Sequence, residues 1–401
     1  LVVGRRDLRG FLLDPAKRTS DQEAGVHALP TEVAKTSVKF SYKKQARRNF
    51  RVLDDAICSL DQQIKLLYHL RPVNLASERE RFLKGKVENP HFIYPDLQFD
   101  PYALREQLEK LEFDESPFER LFDRKRLEIL EKIDLLEHRA TEYFMSKSAI
   151  LFGEATDELL IDAEAVLEKK PKQFKLDPSN IETEEAVKRF EKFFKSNGLG
   201  HWKVKLKKSM VADCMAGKKM AFFVRDGATF TETRLKMVIA HEIETHIYTA
   251  ENGKRQPYMI FQRGTGGYLT TQEGLAIYNQ EQVAPEVTEK YFWNAALVVM
   301  IYVAQKGSFK DVYEKARSMG YSEGRAFQFA IKAKRGLEDT GQPGAFTKDL
   351  IYFRGKQMIE EFVKNGGDLR RLYMGKIDLP SLEEVEQLPF MVAPKYVPGF
   401  Y

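Results

Sequence analysis

The chain has 401 residues, 43% of them hydrophobic and 31% charged, with Lys plus Arg exceeding Asp plus Glu by 64 − 59 = 5. That balance describes a water-soluble globular chain and is too weakly basic to argue for a nucleic-acid partner. Two cysteines, Cys58 and Cys214, with no CxxC pair, exclude a disulfide framework and favour a reducing, cytoplasmic setting.

Residues 1–40 mix Gly, Pro, Ser, Thr and charges without periodicity and lack a basic-then-apolar leader pattern, so they read as an extended lead-in. From about 40 to 70 the stripe Phe50, Leu53, Ile57, Leu60, Ile64 predicts a helix. Asn74 or Ser77 is placed to cap a short helix, and "ENPHFIYPDLQFDPYAL" reads as a packed loop. Leu127, Leu130, Ile133, Leu136, Ala140 and Phe144 predict one long amphipathic helix, and another covers about 155–169. "KKPKQFKLDPSN" breaks the pattern and is the expected boundary between a helical N-terminal region, 41–175, and a catalytic domain, 176–378.

"TEEAVKRFEKFFKSNGLG" is a helix stopped at Asn197-Gly198. The period then changes to two: Trp202, Val204 and Leu206 alternate with lysines, and "MVADCM" and "KMAFFVRDG" read as two more strands. The last of these is a candidate edge strand for an added peptide, with an internal strand as the alternative. Beyond residue 283 the chain is mostly helical to about 367, including the ten-residue apolar run Ala295–Ala304, too short for a bilayer and read as a buried helix. Residues 379–401 form a proline-punctuated tail packed on the domain. The expected class is α+β, predominantly helical, with a small β-sheet preceding a histidine-bearing helix.

That helix, within "MVIAHEIETHIYTAENGKRQP", carries His241, Glu242 and His246. Five residues at about 100° each set the two rings about 140° apart on a regular helix. A π-bulge between them would bring both to one side, and such bulges concentrate at functional sites. The alternative is one core and one surface histidine. In "GYLTTQEGLAIYNQ", Thr270 or Thr271 is placed to cap a helix with Glu273 in its first turn, and Gly274 leaves room for another backbone. His241, His246 and Glu273 as ligands with Glu242 as base is the arrangement of a large class of zinc peptidases. Glu273 reads equally as a carboxylate at the positive end of a helix. His27, His69, His91, His138 and His201 have no ligand-like neighbours.

"HEIETH", "RQP", "TQEGLA" and "RGLEDTGQPGAFTKDLIYFRG" occur in that order. In this the chain resembles the family of microtubule-associated tyrosine carboxypeptidases and bacterial QEGLA-motif proteins, over roughly residues 40–400 and most strongly over 222–355. The resemblance implies a mostly helical zinc hydrolase that removes a C-terminal aromatic residue from a peptide or protein; the charge balance and the short apolar run lead us to expect no nucleic-acid or membrane partner. The animal members carry Gly where this chain has Glu244, an added carboxylate near the metal ligands. A carboxypeptidase also needs a cation for the terminal carboxylate and a donor for the oxyanion. Lys348, four residues before Tyr352, is the expected binder of the carboxylate or of an acidic tail, with Tyr352 as oxyanion donor and Arg255 as a second cation. Asp349 is an alternative support for a ligating histidine; Arg335 and Arg354 are weaker candidates. A zinc aminopeptidase or dipeptidyl peptidase, or a metal-binding regulator without turnover, remains open on sequence alone.

Overall fold

The computed structural model describes residues 50–401, save 115, 170–179, 209, 211, 218 and 286–288, and for 289–291 the main chain alone. The chain divides into units 1–48 and 49–401; the expected lead-in and the expected boundary over 170–179 lie outside the described residues. The described part is mostly helical with one three-stranded sheet.

Helix starts follow local chemistry. Asp100 and Ser116 each precede a proline, and their side chains accept from the Ala103 and Glu119 amides, opening helices Pro101–Glu109 and Pro117–Glu137. The "FDPYAL" stretch, expected to be loop, is therefore a helix start. Asn74 stands at the start of helix Leu75–Leu83, but its amide bonds to the main chain of His91 and Ile93 instead of capping.

The expected single helix over 127–144 is two, Pro117–Glu137 and Phe144–Phe152. Tertiary contacts override the stripe there. Ala140 has φ +63°, its N–H donates to the Gly336 carbonyl at 2.7 Å, and a Cβ on Gly336 would meet the Phe144 ring at 1.9 Å. Leu127, an expected core position, is exposed.

The strands are β1 Lys203–Lys207, β2 Cys214–Ala216 and β3 Ala221–Arg225, in the order β1-β3-β2. β3 pairs parallel with β1 and antiparallel with β2. The last strand is thus central, which overturns its reading as a peptide-accepting edge; its main-chain groups are spent on both neighbours. The lysines of β1 are exposed, and so is Leu206.

One core joins the N-terminal helices to the rest: Ile57, Phe122 and Ile129 pack with Phe190, Phe222, Ile243 and Tyr373. A second gathers Ala163, Val298, Phe309, Phe327 and Phe353. Helix Glu289–Lys306 carries the apolar run, buried from Ala295 to Ile301. No described helix is long and apolar enough to cross a membrane.

Two helices set the geometry of the site, Tyr268–Val283 and Leu350–Lys364, and they cross at Gly274 and Gly355. A Cβ on Gly274 would stand 2.2 Å from the Gly355 carbonyl group, and one on Gly355 would stand 2.2 Å from the Thr270 carbonyl oxygen. Only hydrogen fits at this approach, as the glycine beside Glu273 leads one to expect. Gly355→Ala is expected to lower stability by about 1–3 kcal/mol. The readout is a lower urea midpoint at unchanged m-value; an unchanged midpoint would contradict the crossing.

Candidate active site

The histidine helix begins at Thr231, whose hydroxyl accepts from the Arg234 amide. It runs as α-helix over Glu232–Val238, as π-helix over Ile239–Ile247 and as α-helix again over Tyr248–Arg255. The widened turn spans nine residues, more than the single bulge that spacing alone suggests. Its i→i+5 repeat stacks His241 above His246, removing the 140° divergence. The Thr245 hydroxyl donates at 2.7 Å to the Ala240 carbonyl, also five residues back.

The rings of His241 and His246 lie 4.9 Å apart at 88°. Glu273 Oε2 is 3.7 Å from His241 Nε2 and 3.9 Å from His246 Nε2. One ligand atom from each of the three lies within 4.8 Å of the others. Ligands bonded at about 2.0–2.2 Å to one tetrahedral ion stand roughly 3.3–3.6 Å apart, so this donor set fits zinc with little adjustment. Both remaining ring nitrogens face amide oxygens: His241 Nδ1 is 3.2 Å from Gln280 Oε1, and His246 Nδ1 is 3.5 Å from Gln272 Oε1. An oxygen there accepts the Nδ1 proton and leaves each Nε2 lone pair facing Glu273. Thr249 fixes Gln272 by donating to the same oxygen at 2.8 Å.

Glu273 sits in the second turn of its helix, which opens at Tyr268 behind Gly267 with φ +77°. The expected caps at Thr270 and Thr271 are therefore corrected: both lie inside the helix, and the Thr271 hydroxyl accepts from the Leu379 amide. This position also removes the reading of Glu273 as a helix-start carboxylate.

Glu242 stays outside the ligand set. Its Oε1 is 4.0 Å from His241 Nε2, and its Oε2 accepts from the Ala216 amide at 3.1 Å. Strand β2 thereby holds this carboxylate beside the cluster. Glu244 turns elsewhere: its charge acts on Tyr248, Tyr373 and Tyr401, and burial pushes its carboxyl up to about 7.

The helix crossing brings Tyr352 in. The charge of Glu273, then burial, pushes its hydroxyl well above the usual tyrosine range, so it is a neutral donor. Lys348 Nζ stands 5.4 Å from the Tyr352 ring centroid. Lys348 is 8% exposed and precedes the helix, so the expectation that it shares a helix face with Tyr352 is corrected. Burial pulls its ammonium below the usual lysine range, against the charges of Asp349 and Glu273. Asp349 pairs with Lys332 at 2.8 Å and supports neither histidine; the two glutamines take that place. Arg255 does not join the cluster. It is exposed at the helix end, 3.5 Å from the Ala393 carbonyl and nine residues past His246, about 13 Å along the axis.

Gln280 lies seven residues past Glu273, two turns on along the same face, so its spacing was a usable signal. Gln272 lies in the QEGLA motif, directly before Glu273, whereas nothing local marks the Ala216 amide. His69 is buried, while His91, His138 and His201 face Glu338, Asp134 and Glu251.

Two imidazoles and a carboxylate thus converge so that they could hold a metal ion, with a second carboxylate held beside them. The family model described as microtubule-associated tyrosine carboxypeptidase matches residues 80–401, and the chain belongs to that family. Among similar proteins, "Microtubule-associated tyrosine carboxypeptidase 1" of Mus musculus is 30% identical over 159 residues, 38% of this chain and 33% of that protein. "Putative tyrosine carboxypeptidase MATCAP2" of Homo sapiens is 29% identical over 167 residues, 40% of this chain and 31% of that protein. The chain thus spans about a third of the length of the curated relatives it matches.

Proposed function

We propose that this chain is a zinc-dependent carboxypeptidase that hydrolyses the last peptide bond of a peptide or protein and releases Tyr or Phe. The observation that carries this reading is the convergence of His241, His246 and Glu273, with Glu242 held next to them and left out of the set. The names of the relatives support it. His241, His246 and Glu273 would hold the zinc, with Gln280 and Gln272 fixing the ring tautomers. The chemistry zinc supplies when bound is Lewis acidity towards water and the scissile carbonyl.

The chain's own groups do the rest. Glu242 takes the proton of the attacking water and returns it to the leaving amine. Tyr352, neutral and beside Glu273, donates to the oxygen that gains charge. Lys348 offers a buried cation to an anionic part of the substrate, a carboxylate or an acidic tail. A structural metal site needs no carboxylate in the place of Glu242. The buried thiols of Cys58 and Cys214 suit a cytoplasmic protein.

The test is a peptide ending in tyrosine, compared with its C-terminal amide and with versions ending in alanine or lysine. Cleavage of the free acid over the amide, and of tyrosine over alanine and lysine, is expected. Equal cleavage of the amide would rule out a carboxypeptidase; a preference for alanine would discard the aromatic pocket.

A further inference from the structure

No motif marks Arg263 or Lys376, yet main-chain hydrogen bonds tie their two segments together beside the start of the Glu273 helix. Arg263 ends the short helix Ile260–Arg263, whose first amide donates at 2.9 Å to the buried carboxylate of Asp54. Lys376 follows the 3-10 turn Leu369–Met374. The segments are tied together: the Lys376 amide donates to the Phe261 carbonyl at 2.7 Å, and the Thr265 amide donates to the Lys376 carbonyl at 3.0 Å. Gly375 permits this approach, since a Cβ there would stand 2.8 Å from the Phe261 oxygen. Lys376 Nζ lies 5.9 Å from the ring centroid of Tyr268, the residue that opens the Glu273 helix.

Several other buried cations meet carboxylates, while buried Lys334 is held by three main-chain carbonyls. Lys125 and Lys132 meet Asp61 and Glu128, and Lys356 meets Glu281 and Glu360. Among the described residues, neither Arg263 nor Lys376 has an ion-pair partner, and Arg263 Nε is buried without a hydrogen-bond partner. Burial and the charge of Arg263 pull the Lys376 ammonium down, against the charges of Glu273 and Glu242. With Glu273 serving as a ligand and Glu242 as base, neither charge is left to pair with Lys376. A partly buried cation left in that state is unfavourable until an anion arrives.

We propose that Arg263 and Lys376 receive the substrate's terminal carboxylate and so set the exopeptidase specificity. This rests on the carboxypeptidase reading. It leaves Lys348, already flanked by Asp349, to a side chain farther up the substrate.

Binding without turnover tests it, in the zinc-loaded protein carrying Glu242→Gln. Calorimetry compares a tyrosine-ended peptide with its C-terminal amide. The acid is expected to bind about 100-fold more tightly, as for other desolvated charge pairs. Adding Arg263→Gln and Lys376→Gln should remove most of that preference while leaving the amide's affinity in place, which also reports on folding. Should the double variant fail that control, Lys376→Gln alone, at a half-buried position, must lower the preference on its own. A preference that survives these changes overturns the assignment. So does its loss in Lys348→Met instead. If the Glu242→Gln parent shows no preference for the acid, the carboxypeptidase reading itself fails, and this assignment with it.

Discussion

Glu242→Gln is expected to lower turnover by about 10²–10⁴-fold while leaving fold and metal content intact. The change is isosteric and keeps an oxygen able to accept from the Ala216 amide. What it removes is the basicity that draws a proton from water and delivers it to the amine. Because Glu242 lies outside the convergent group of three, zinc content should stay at one per chain. The check is kcat against elemental analysis on the same sample. Near-normal turnover would take Glu242 out of the mechanism.

The second large effect is on the metal. Elemental analysis of the unaltered chain should give one zinc, and the double variant His246→Ala, Glu273→Ala close to none. Two of three ligands are then gone, and the remaining His241 is one nitrogen on a helix. A metal that binds only the folded chain stabilises it by about 4 kcal/mol when present at a thousand times its Kd. Added zinc should therefore raise the melting temperature of the unaltered chain and not that of the double variant. Full zinc occupancy in the double variant would sink the ligand assignment.

The sequence exposed much of this site because its chemistry is local. His241, Glu242 and His246 sit within six residues, and their awkward spacing already called for a widened turn, seen as the π-helix Ile239–Ile247. Gly274 announced a close backbone approach before its partner, Gly355, was known. Pattern failed where distant segments decide. The stripe over 127–144 could not reveal that Gly336 and Phe144 bend the chain at Ala140. Strand residues alone do not say which strand is central, so β3 was open to reading as an edge. Arg255 looked near because it follows the histidines in sequence, yet it stands exposed at the far end of their helix. The segments that carry Arg263 and Lys376 meet across more than a hundred residues through two main-chain hydrogen bonds, which no local pattern encodes.

The most direct measurement is mass spectrometry of a tyrosine-ended peptide incubated with the zinc-loaded protein and, in parallel, with the Glu242→Gln variant. The predicted result is loss of one C-terminal tyrosine with the unaltered chain and an intact peptide with the variant. Loss from the N-terminus, or an intact peptide with both, would contradict the account.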